Sequence, residues 1–108
     1  MLQAPPDPDA VEAQDRHAAD HLISTASTIV RDVARMRQDA AAEGSRLLTL
    51  TVEADLTFAA PADFDAFTEE VSAAVAALAR KYSGPSGRRY RLTAAAHPAT
   101  PKSAPARN

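Results

Sequence analysis

The chain has no cysteine among its 108 residues, so neither a disulfide framework nor thiol chemistry is available to it. No apolar run approaches the roughly 20 residues a membrane span needs, and the acidic start does not read as a signal peptide. These absences fit a cytoplasmic protein. Glycine is confined to Gly44, Gly84 and Gly87, all in turn contexts, which leaves no glycine-rich phosphate loop. Aromatic side chains are scarce: Phe58, Phe64, Phe67, Tyr82 and Tyr90 are the full set. A core built from so few large residues is marginal for one small domain, and association is a common remedy. Acidic residues are also absent from residues 83–108, where Arg88, Arg89, Arg91, Lys102 and Arg107 carry the charge. Residues 1–45 instead hold eight acids against four arginines, so the net charge of -2 conceals an asymmetry. Five basic residues with Tyr90 as the one interleaved aromatic read as strand and tail charges, not as a nucleic-acid surface.

What is present in strength is alternation. Over residues 46–58, Leu48, Leu50, Val52, Ala54, Leu56 and Phe58 fall on one parity. Thr49, Thr51, Glu53, Asp55 and Thr57 fall on the other. Successive side chains of a strand point to opposite faces, so the pattern predicts an amphipathic strand. At about 3.3 Å per residue it would run roughly 40 Å, twice the usual length. A shorter candidate strand covers residues 89–96, with Tyr90, Leu92, Ala94 and Ala96 alternating against Arg89, Arg91 and Thr93.

Residues 9–42 contain neither Gly nor Pro and predict one long helix. Leu22, Ile23, Ala26, Ile29, Val30, Val33, Met36 and Ala40 recur at spacings of three and four, which gives one apolar face. Asp9 with Glu12 three residues later suggests a capping box, and Gly44 a stop. Ser24, Thr25, Ser27 and Thr28 dilute the middle, where a kink is expected if there is one. His17 and His21 share a face of this helix, a spacing that suits one zinc ion. The glutamate that comes directly after the first histidine in metalloprotease helices is replaced by Ala18, and the pair reads as solvated or interfacial. No metal or cofactor is expected.

Pro61 suits a first helical position, Asp63 and Asp65 its first turn, and Arg80 and Lys81 its last. Phe64, Phe67, Val71, Ala74, Val75, Leu78 and Tyr82 form an apolar face. Ser83 to Gly87 then make a turn. The order helix, strand, helix, strand predicts an α+β fold with a small sheet, completed by a second copy because two strands are insufficient alone. The residues expected in the core or at the dimer contact are Leu48, Leu50, Val52, Leu56, Phe58, Phe64, Phe67, Val71, Leu78 and Tyr82. Residues 1–8 and the Pro-rich basic residues 98–108 lack the apolar density to order, which leaves 9–97 as one domain.

Three segments carry a resemblance: TVEADLTF, then APADFDAFTEEVSAAVAALARKY, then RRYRLTAAAHP after the turn. Together they resemble the C-terminal region of ArsR-like winged-helix transcriptional regulators of actinobacteria. Alanine at about a quarter of the residues and arginine in preference to lysine also suggest a GC-rich bacterial genome. The resemblance implies that residues 9–42 are the linking helix and that the chain beyond it serves dimerisation and effector sensing. Only residues 1–8 precede that helix, so the family's DNA-contacting residues map onto nothing here. The expected partners are a second copy or, as a mixed dimer, a full-length regulator, with no specific DNA binding by this chain alone.

No enzyme is expected. Glu53 and Asp55 share a parity as paired carboxylates can, and His97 precedes Pro98, but neither stands near a nucleophile elbow or a phosphate loop. The alternative reading is a stand-alone small-ligand module, its pocket lying between the sheet and Phe64, Phe67 and Tyr82.

Overall fold

A computed structural model of the chain describes residues 7–100. Contacts divide the chain into two units, Met1–Thr51 and Val52–Asn108. The outermost residues expected to be disordered, 1–6 and 101–108, lie outside the described residues.

The first unit is built on one uninterrupted helix, α1, Pro8–Glu43. It starts where Asp7, in extended conformation, turns its carboxylate onto the Asp9 N–H at 3.1 Å. Asp7 is therefore the cap, two residues before the expected Asp9. Proline at the first helical position explains the difference, because its missing N–H is one that no helix can satisfy internally. Ser27 and Thr28, in the stretch where a kink was expected, donate their hydroxyls to the Ile23 and Ser24 carbonyls at 2.8 and 3.1 Å. These bonds satisfy the hydroxyls on the helix itself, and α1 runs through. Gly44 ends it in the left-handed region at φ 67°, and the N–H groups of Gly44 and Ser45 both donate to the Ala40 carbonyl. That is the stop the sequence predicts.

The second unit holds α2, Pro61–Lys81. The Asp63 carboxylate accepts from the Ala60 N–H at 3.2 Å while its own N–H donates to the Ala60 carbonyl at 3.0 Å. Arg80 and Lys81 occupy the last turn, where cations oppose the partial negative charge of the free carbonyls.

Among the described residues there is no strand, and the fold is all-α. The predicted α+β order, its sheet and the completion of that sheet by dimerisation are corrected accordingly. Residues 46–58 and 89–96 connect or succeed the helices without a ladder. The reason is physical: alternation supplies a strand with two faces, but its N–H and C=O groups need a neighbouring strand. One long and one short candidate, separated by a helix, leave part of the longer one without a neighbour.

Candidate functional site

Not one described residue is buried. The expected core and contact residues share this exposure: Leu50 and Val52 are 78% and 79% exposed, and Leu48, Leu56, Phe64, Leu78 and Tyr82 are exposed as well. Leu47, outside the predicted stripe, is half-buried. Phe58, Phe67 and Val71 are also half-buried.

The structure does bring three of these residues together. The Phe58 ring meets the Phe64 ring edge-on, with centroids 5.5 Å apart at 89°, and the Phe67 ring at 5.4 Å and 50°. Phe58 thus folds back over the first two turns of α2 as a hydrophobic staple does, two residues before the Ala60 cap. Tyr82 stands at the other end of the helix, with the Lys81 ammonium 5.5 Å from its ring centroid. Phe64, Phe67 and Tyr82 therefore do not line a common pocket. A hollow on this unit, open and shallow, lies between Val71, Ser72, Val75, Ala76 and Ala94. Ser72 is its single polar side chain.

Among the described residues no cluster of three or more His, Cys, Asp or Glu side chains is placed to hold a metal ion. His17 and His21 are exposed on α1, and His97 donates from Nδ1 to the Pro98 carbonyl at 2.9 Å. Glu53 and Asp55 are exposed on the connecting segment.

The surface with most to offer is the face of α1. Ile23 and Val30 are 62% and 70% exposed, and Ile29, Val33 and Met36 lie exposed near them on a continuous stripe. The expected contact residues all fell within 48–82 and omitted this surface, although its spacing of three and four is visible in the sequence. Around the stripe the charges are local. Arg16 pairs with Glu12 at 3.5 Å and Arg35 with Asp32 at 3.3 Å, each within the helix and at the surface. The Arg37 side chain has neither an ion pair nor a hydrogen bond among the described residues. Exposed pairs such as these contribute well under about 1 kcal/mol each. They tune the surface without holding the helix.

No family model matches the chain, and no curated protein or solved structure is significantly similar to it. No helix among the described residues is long and apolar enough to cross a membrane.

Proposed function

We propose that this chain is a non-catalytic association module whose first helix pairs with a second copy, acting as the dimerising half of a bacterial transcriptional regulator. The observation that carries the association is the contrast between an apolar stripe along α1 and a chain with no buried residue among those described. A 36-residue helix gains most of its stability from packing an amphipathic face. Within the described residues that face stays in water. A second copy of the same stripe has the right chemistry to cover it.

The regulatory part of the reading rests on the resemblance to ArsR-like regulators, and now on its helix alone, since the segments likened to that family's strands form none here. In that role the chain pairs with itself or, as a mixed dimer, with a full-length regulator. Sedimentation velocity across the micromolar range tests the association. A concentration-dependent shift to the dimer mass, with a parallel rise in helicity, is the expected result. A monomer at every concentration that melts sharply would refute it. Co-purification with a winged-helix regulator from the native host, lost when α1 carries Ile29→Asp, tests the regulatory part.

A further inference from the structure

The charges that flank the α1 stripe select one way for two copies to pair. We infer that the second copy lies parallel and in register along α1, as a two-stranded coiled coil over residues 19–40, with Asp32 of one helix facing Arg37 of the other. This inference rests on the self-association proposed above and adds its geometry.

The stripe obeys a heptad. Ala19, Ala26, Val33 and Ala40 repeat at one seam position (a), and Leu22, Ile29 and Met36 at the other (d). Seven successive layers are apolar without exception. Upstream the same frame meets Glu12 and Asp15, so the seam begins at Ala19 and the first turns of α1 lie outside it. In a parallel pair each g residue faces the e residue five positions later on the partner. Over the seam those pairs are Ala18 with Ile23, Thr25 with Val30, and Asp32 with Arg37, the last of opposite charge. Arg37 has no partner among the described residues, while Asp32 engages Arg35 through Oδ1 alone. The two-fold axis repeats the ion pair on both sides of the seam.

Antiparallel pairing does worse in each register. Keeping the apolar layers together, with Ala26 against Ile29, brings Arg16 beside the partner's Arg37. Sliding by a heptad one way sets Asp15 into the seam against Val33. Sliding the other way sets Asp32 against its own copy. Like charges or a buried carboxylate oppose every one of these arrangements.

The absence of cysteine makes the test direct. Ala19→Cys and Ala40→Cys are made singly in the full chain, with Ser27→Cys on the outer face as the reference, and each is mildly oxidised. In the parallel pair both seam positions meet their own copies, close to the roughly 4 Å Cβ separation a disulfide needs. Both should cross-link at least about tenfold faster than Ser27→Cys. In the first antiparallel register residue 40 faces residue 15, which puts the two copies of residue 40 about 37 Å apart along the axis, at about 1.5 Å per residue. A dimer by sedimentation whose seam variants cross-link no faster than Ser27→Cys overturns the parallel arrangement and leaves self-association standing. A monomer by sedimentation removes both. The charge pair has its own readout. Arg37→Asp should weaken the dimer about five-fold, the scale of an exposed ion pair turned repulsive, and adding Asp32→Arg should restore it. A double variant as weak as the single one overturns the Asp32–Arg37 contact.

Discussion

Gly44 is the residue whose identity the backbone most clearly demands. It sits at φ 67°, and a Cβ added there would meet nothing within 4 Å. Any cost of Gly44→Ala is therefore conformational, about 1 kcal/mol for an L-residue held in the left-handed region. Gly44→Asn should recover part of the loss, and thermal melts monitored by circular dichroism at fixed protein concentration read both. This position was legible in the sequence because a glycine after a long Gly-free, Pro-free run has one common meaning. The N-terminal cap was less so. Asp7 and Asp9 both have carboxylates that suit a cap, and Pro8 in the first helical position leaves that role to Asp7.

The two helices, unlike the two strands, could be read from periodicity. A helix satisfies its own backbone, so spacing of three and four with suitable ends is close to sufficient evidence for one. A strand depends on a neighbour elsewhere, and the alternation of residues 48–58 says nothing about whether that neighbour exists. The same dependence explains why Leu50 and Val52 were expected in a contact and are exposed. Phe58, the last residue of the alternating run, finds its partners in α2 instead. Phe58→Ala should remove both ring contacts and fray the start of α2, costing about 1 kcal/mol beyond the area it covers. Hydrogen exchange at the amides of the first two turns of α2 measures this, with α1 amides unchanged. On α1, Ile29→Asp would place a carboxylate at the centre of the proposed seam. Removing an apolar contact and burying an unpaired charge should weaken the dimer by two orders of magnitude or more, about 3 kcal/mol, as seen by sedimentation.

For the molecule as a whole, charge distribution argues against reading DNA. Sequence readout needs a helix or ribbon that reaches base edges from a basic surface. The first 45 residues carry eight acids, and Arg88, Arg89 and Arg91 belong to a segment without regular structure. A mobility-shift titration should show equal, weak retention of the gene's own promoter and a scrambled duplex. Both should be lost near physiological salt, where the screening length is about 8 Å. Selective retention of the promoter would show that α1 serves as a recognition helix.

The lack of any buried side chain among the described residues also bears on how long the protein persists in a cell. If, as proposed, a second copy completes the packing, the folded fraction is set by mass action. On that proposal, the chain at low abundance is an open helix that proteases cut readily, and at high abundance pairing shelters it. Its turnover should slow as its expression rises, a self-reinforcing threshold that a monomer with its own core does not have.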